Sequence, residues 1–216
     1  MSISENINHI QSEIPAHVTL VAVSKTKPND MVLEAYDAGQ RDFGENYVQE
    51  LVDKEEALPK DIHWHFIGHL QSNKVKYITP FVYLIHGVDS FSLLKEINKQ
   101  AQKNNRIIDC LLQIHIAQEE TKFGLYFEEA SDILKSVEFN ELKNISIKGF
   151  MAMASNTENE AKIREEFKSL KVFSNEYPNL KTLSFGMSGD YQLAIEEGST
   201  MIRVGSSIFG ERNYTK

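Results

Sequence analysis

The chain of 216 residues has one cysteine, one tryptophan and five prolines, and its 23 basic side chains are outnumbered by 31 acidic ones. A single cysteine, Cys110, excludes an internal disulfide. Its place in Ile107-Ile108-Asp109-Cys110-Leu111-Leu112 reads as a small core side chain. A net charge of −8 argues against a nucleic-acid binder or a protein of anionic membrane surfaces, both of which need a basic face. No apolar run approaches the length that spans a bilayer. The opening Met1-Ser2-Ile3-Ser4-Glu5-Asn6 lacks the basic-then-apolar pattern of a secretory signal, so the cytoplasm is the expected compartment. Linkers rich in Pro, Gly or Ser and low-complexity tracts are also missing, so residues 1–216 read as a single domain.

What the chain does have is a regular alternation of apolar strands and helical periods. Strands are expected at Thr19–Val23, Arg41–Gly44, His63–Gly68, Val82–Val88, Ile107–Ile116, Ile145–Met151, Leu180–Phe185 and Thr200–Val204. Between them lie helical patterns, among them Val32/Ala35/Tyr36, a polar helix from Glu45, Leu94/Ile97/Ala101, Phe127–Val137, Ile163/Phe167/Leu170 and Asp190–Glu197. Eight such units in this length predict a compact α/β chain, a (β/α)8 TIM barrel, with a doubly wound open sheet as the alternative. Little chain follows the eighth strand, so an N-terminal helix over Ile3–Ile14 is expected to cover the gap a last helix would leave.

In such a barrel, function collects at the C-terminal strand ends. Lys25 follows the first strand in Val21-Ala22-Val23-Ser24-Lys25-Thr26-Lys27-Pro28, with Pro28 suited to a helix start. A desolvated amine at that place loses its proton readily and can attack an aldehyde; a solubilising strand-end lysine is the plainer reading. Asn46 follows the second strand. Ser188, in Gly186-Met187-Ser188-Gly189-Asp190, follows the seventh, and Arg203, Gly205 and Ser206 end the eighth. The last two loops are the usual phosphate site of this fold, although Gly and Ser in either one alone can simply shape a turn. A reactive lysine, a phosphate site and an arginine together suggest pyridoxal 5′-phosphate (PLP), with Arg203 beside the pyridine nitrogen or else in an ion pair on the rim.

Five segments carry a closer likeness: Ala22–Lys27, Phe43-Gly44-Glu45-Asn46-Tyr47-Val48-Gln49-Glu50, His65-Phe66-Ile67-Gly68-His69-Leu70-Gln71-Ser72-Asn73-Lys74, Leu183–Ser188 and Val204-Gly205-Ser206-Ser207-Ile208-Phe209-Gly210-Glu211-Arg212. In this order, over nearly the whole chain, they resemble the YggS-type pyridoxal phosphate homeostasis proteins. The resemblance implies a barrel like the N-terminal domain of alanine racemase, with PLP as a Schiff base on Lys25. Ser188, Gly205 and Ser206 would hold the phosphate, Arg203 would face the ring nitrogen and Asn46 would line the pocket. Lys122 resembles, loosely, the basic residue near the phenolic oxygen in the racemases. His69 and Phe123 depart from the family pattern, where proline and a small residue are commoner.

The implied role is PLP homeostasis, with apo-PLP enzymes as possible recipients and a monomer as the expected state. An amino-acid racemase is the alternative, but it needs a second acid–base group; Tyr47 or Tyr191 could in principle substitute, though nothing in the sequence places them there, and the usual second domain has no length left for it. A metal-dependent hydrolase built on His63 and His65, two apart on one strand, is a third reading. His115 reads as either a core histidine or a neighbour of the cofactor. Asp53–Glu56 reads as a solvated helix face, and Phe81, Tyr83 and Phe91 as core.

Overall fold

The computed structural model describes residues 2–119 and 121–211. In chain order its elements are α1 (Ile3–Glu13), β1 (Thr19–Val23), α2 (Asn29–Asp37), β2 (Asp42–Glu45), α3 (Val48–Ala57), β3 (His63–Phe66), a 3-10 turn (Ser72–Lys74), α4 (Val75–Ile78), β4 (Leu84–Val88), α5 (Phe91–Lys103), β5 (Ile108–Ile114), α6 (Phe127–Lys135), α7 (Val137–Asn140), β6 (Ile145–Ala152), α8 (Glu160–Ser174), β7 (Thr182–Ser184), α9 (Tyr191–Glu196), β8 (Met201–Val204) and α10 (Ser206–Phe209). The strands pair in sequence order, all parallel, and the sheet closes because β8 pairs with β1, Thr19 opposite Met201 through Ala22 opposite Val204. Closure excludes the open-sheet alternative.

Strand alternation divides the side chains between two cores. Leu20, Ala22, Trp64, Phe66, Ile85, Leu183, Ile202 and Val204 join the large cluster under the helices. Val21, Leu84, Leu111, Met151 and Met201 form a separate small cluster inside the barrel. Cys110 is buried, as expected for a core residue, and burial pushes its thiol up.

α1 closes the outer layer in place of a long final helix. Ser2 and Glu5 cap it reciprocally, and Ile3, Ile7 and Ile10 bury its inner face. The Asn6 side-chain amide donates to the Ile208 carbonyl at 2.9 Å and the Ile3 N–H to Glu34 Oε1 at 3.0 Å, which ties α1 to α10 and α2.

Three expectations need correction. Glu45 does not open a helix: it ends β2, fully buried, and α3 starts at Val48 after a bend at Asn46 and an extended Tyr47. The buried ammonium of Lys54 reaches back to it, which is what lets a carboxylate sit under the strand end. Within Asp53–Glu56, Lys54 is accordingly buried rather than solvated. Tyr83 is half-exposed and lies flat on His63, with ring centroids 4.4 Å apart, while Phe81 and Phe91 do pack against the core.

Candidate functional site

Lys25 stands on a segment that is fixed on both sides. Before it, the Ser24 hydroxyl donates to Glu45 Oε1 at 2.6 Å. Lys54 Nζ donates to the Ser24 carbonyl, to Glu45 Oε1 and to Glu50 Oε1, each at 2.7 Å. After it, the Thr26 N–H donates to Glu50 Oε1 at 2.6 Å while Thr26 holds a left-handed φ of 63°. That conformation costs a β-branched residue about 1–2 kcal/mol, so the neighbouring bonds must hold it. Next along, Lys27 Nζ donates to the carbonyls of Phe209, Gly210 and Glu211, pinning the loop to the end of α10. Lys25 itself is half-buried at the barrel mouth.

Glu45 pays the electrostatic cost of this arrangement. Burial pushes its carboxyl up to about 7 against the pull of Lys54 and Ser24, and its Oε2 has no partner among the described residues. A carboxyl raised on folding binds its proton more tightly in the folded chain. The stability it contributes is therefore complete below the ordinary glutamate value and is lost as pH rises to about 7. Unfolding free energy of the wild type should fall over that window by up to about 1.4 kcal/mol per pH unit relative to Glu45→Gln. Parallel pH profiles in urea melts would show that this carboxyl does not titrate there.

On the opposite side of the mouth, the β7 and β8 loops are joined: the Gly205 N–H donates to Ser188 Oγ at 3.1 Å, which leaves the hydroxyl hydrogen of Ser188 to donate elsewhere. Gly186 makes the turn at φ 96°, where a Cβ would lie 2.5 Å from that of Ala194. α9 begins at Tyr191, one residue later than the sequence suggests. Its N-cap Asp190 takes the Met187 N–H, so that donor is already used. Ser206 is exposed at the start of α10.

Among the described residues Arg203 makes no rim ion pair. It points into the barrel and is 4% exposed. Nη1 donates to the Ser184 carbonyl at 2.7 Å and hydroxyl at 2.8 Å, and Nη2 to the Ala152 carbonyl at 3.0 Å. Burial pushes the guanidinium down to about 10, with Asp190 pulling the other way.

These elements enclose a cavity of about 290 Å³ at the C-terminal barrel mouth, close to the small end of the range for cofactor sites. All six sequence candidates line it: Lys25, Asn46, Ser188, Arg203, Gly205 and Ser206, together with Val23, Lys27, Ile67, Met153 and Met187. Asn46 Oδ1 is itself fully buried, with no partner among the described residues. Gly68 allows this: a Cβ on it would stand 2.3 Å from the Asn46 carbonyl oxygen. An amine, a guanidinium and a hydroxyl pair around one small cavity are a donor set that fits a phosphorylated pyridine aldehyde.

Other candidates lie elsewhere. Lys122 Nζ is held by the Ala154 carbonyl, with Glu119 3.4 Å away, and lines a neighbouring cavity with Ser155 and Asn156. His115 Nδ1 pairs with the Lys122 carbonyl at 2.9 Å. His63 and His65 both turn to Asp42, at 3.2 and 3.0 Å, and among the described residues no cluster of three or more His, Cys, Asp or Glu can hold a metal ion. Tyr47 is exposed, and the Tyr191 hydroxyl donates to Glu13. The two departures from the family pattern meet each other: the His69 and Phe123 rings stack with centroids 4.0 Å apart, and His69 pairs with Asp89 at 3.1 Å. The clamp of Glu45, Glu50 and Lys54 escaped the sequence reading, although the Glu50/Lys54 spacing of four on one helix was its trace.

Comparison with known proteins places these features. The family described as alanine racemase, N-terminal domain, matches residues 1–213. The pyridoxal phosphate homeostasis protein of Vibrio alginolyticus is 38% identical over 99% of this chain and 99% of its own, and that of Escherichia coli K12 is 39% identical over 94% and 89%. PipY of Synechococcus elongatus PCC7942, solved with PLP bound, superposes with a TM-score of 0.88 at 35% identity, over 97% of this chain and 100% of that one. The alanine racemase of Bartonella henselae shares the fold, with a TM-score of 0.77 at 18% identity over 99% of this chain and 60% of its own. The chain thus belongs to the alanine racemase N-terminal domain family and, within it, to the pyridoxal phosphate homeostasis proteins.

Proposed function

We propose that this chain binds PLP in the barrel-mouth cavity, covalently through Lys25, and serves intracellular PLP homeostasis and, through it, amino-acid and keto-acid balance. The observation that carries the reading is the convergence of Lys25, Asn46, Ser188, Arg203, Gly205 and Ser206 on one small cavity. PLP supplies an aldehyde open to amines and an electron-withdrawing ring. The Lys25 nitrogen adds to the aldehyde carbon and water leaves, giving a Schiff base. Ser188 and Ser206 hydroxyls hold the phosphate, Gly205, having no side chain, lets it approach the backbone closely, and Asn46 lines the pocket. Arg203 faces the ring nitrogen as a fixed cation, which keeps that nitrogen unprotonated and restrains carbanion chemistry. The PLP relatives and PipY support the choice of ligand.

A holding protein fits this cavity better than a racemase. Racemisation needs an acid–base group on each face of the substrate, and among the described residues no tyrosine lines the cavity opposite Lys25. We further propose that residues 1–216 act as one domain, as a monomer in the cytoplasm, handing PLP to apo-enzymes. The test is the absorbance spectrum of purified protein after addition of PLP. A band near roughly 420 nm that borohydride removes is expected. Protein that stays colourless with excess PLP overturns the reading, and steady turnover of alanine or serine enantiomers overturns the choice against a racemase.

A further inference from the structure

The barrel interior carries a column of polar side chains that the proposed PLP chemistry does not use. It starts at Asp42, the first residue of β2, and ends at Arg203 on the wall of the cavity. Asp42 Oδ1 lies 3.0 Å from His65 Nε2, His65 Nδ1 lies 2.8 Å from His86 Nε2, and His86 Nδ1 lies 3.0 Å from Ser184 Oγ. Ser184 Oγ takes Arg203 Nη1–H at 2.8 Å. His65, His86 and Ser184 are all 0% exposed. A barrel of this kind ordinarily fills its interior with branched apolar side chains, so four buried polar groups in contact series ask for a reason.

The ends of the column dictate its direction. A carboxylate only accepts and a guanidinium only donates. With both imidazoles neutral, one arrangement satisfies every bond: Arg203 donates to Ser184, Ser184 to His86 Nδ1, His86 Nε2–H to His65 Nδ1, and His65 Nε2–H to Asp42. Burial lowers both imidazoles, with the positive charge of Arg203 adding to the effect on His86 and Asp42 opposing it on His65. At the far end His63 also reaches Asp42, at 3.2 Å, and the Tyr83 ring lies against His65, with centroids 5.4 Å apart. At the near end Asp190 is the charge that attracts Arg203.

We propose that His65, His86 and Ser184 are positioning residues for Arg203: anchored on Asp42, the column fixes one edge of the guanidinium so that its orientation toward the cavity, and toward the pyridine nitrogen of PLP, is set by the far end of the barrel. The target of Arg203 rests on the function proposed above; the geometry of the column does not.

The experiment has two arms. In the first, the cofactor-free chain with 15N-labelled histidine is followed by NMR between pH 5.5 and 8.5, with His65→Gln and His86→Gln assigning the signals. Both imidazoles are expected neutral with hydrogen on Nε2, and Ser184→Ala is expected to move the Nδ1 signal of His86. A hydrogen on Nδ1 of either ring, or a charged ring at pH 6.5, overturns the column. In the second arm PLP is added. Ser184→Ala, which leaves the Ser184 carbonyl in place, is expected to weaken PLP binding about tenfold and to shift the pH midpoint of the visible band by about one unit. The control is Ser199→Ala, which removes another buried hydroxyl, bonded to the Leu183 and Phe185 carbonyls of the same barrel wall; it is expected to leave the band unmoved. If the two variants behave alike, the positioning role is overturned. A wild type that takes up no PLP overturns the functional reading and the target of Arg203 with it, and the first arm, read without cofactor, keeps the two failures apart.

Discussion

Lys25→Ala should abolish the borohydride-reducible PLP adduct completely while leaving the fold intact. The side chain is half-buried at the mouth and its loop is held by other residues, through Ser24, Thr26 and Lys27. The loop keeps these ties when the amine is removed, so the variant should still fold, at a cost in stability of about 1 kcal/mol. No other lysine can easily take its place. Lys27 spends its ammonium on three backbone carbonyls, and Lys54 is buried between two carboxylates and a carbonyl. Lys122 faces a neighbouring cavity, as does Lys74. The anchors for the phosphate remain in the variant, so weak, non-covalent PLP binding should survive and be washed out on dialysis. The check is mass spectrometry after borohydride: unmodified Lys25→Ala protein is the expected result. A reduced adduct mapped to Lys27, Lys74 or Lys122 would move the carrier and dismantle the site as drawn.

The outline of this fold was open to reading from the chain because strand and helix periods alternate cleanly, and because a barrel brings all its C-terminal strand ends to one rim. Residues as far apart as Lys25, Asn46, Ser188 and Arg203 could be assigned to one site on that ground, and they do line one cavity. The inside of the barrel was not open in the same way. In His63-Trp64-His65-Phe66 or Ser184-Phe185 the alternation tells which side chains share a face, but not that both faces are dry. Trp64, Phe66 and Ile85 take the helix side, so His65, His86, Ser184 and Arg203 are left to fill a second core whose polar character has no signature in hydropathy. Lys54 misleads for a related reason: a lysine four residues after a glutamate on a polar helix looks like a surface pair. Its burial depends on Glu45, which ends a strand on the next wall and looks, in sequence, like the start of that same helix.

Lys54→Met should be the most destabilising of the single changes considered. Methionine keeps most of the buried length of the side chain, so the loss is electrostatic rather than a cavity. Removing the cation leaves Glu45, 0% exposed, beside Glu50 with only the Ser24 hydroxyl to offset its charge. Breaking a buried pair on one side costs about 3–5 kcal/mol, or a fall in Tm of roughly 10 °C for a chain of this size. Glu45 relieves part of that by holding its proton to higher pH, so the loss should be smaller at pH 5 than at pH 8. The double variant Glu45→Gln/Lys54→Met should recover part of the stability, and the cycle of four proteins measures the coupling directly. A second effect separates clamp from filler. With Lys54 gone, the Ser24 carbonyl and Glu50 lose their common partner, and the left-handed turn at Thr26 loses part of its support. Lys25 then samples more orientations, and formation of the borohydride-reducible adduct should slow about tenfold even at temperatures where the variant is fully folded. If adduct formation keeps the wild-type rate while stability falls, the triad holds the barrel together and leaves Lys25 unaided. If neither changes, the pair is not formed in solution.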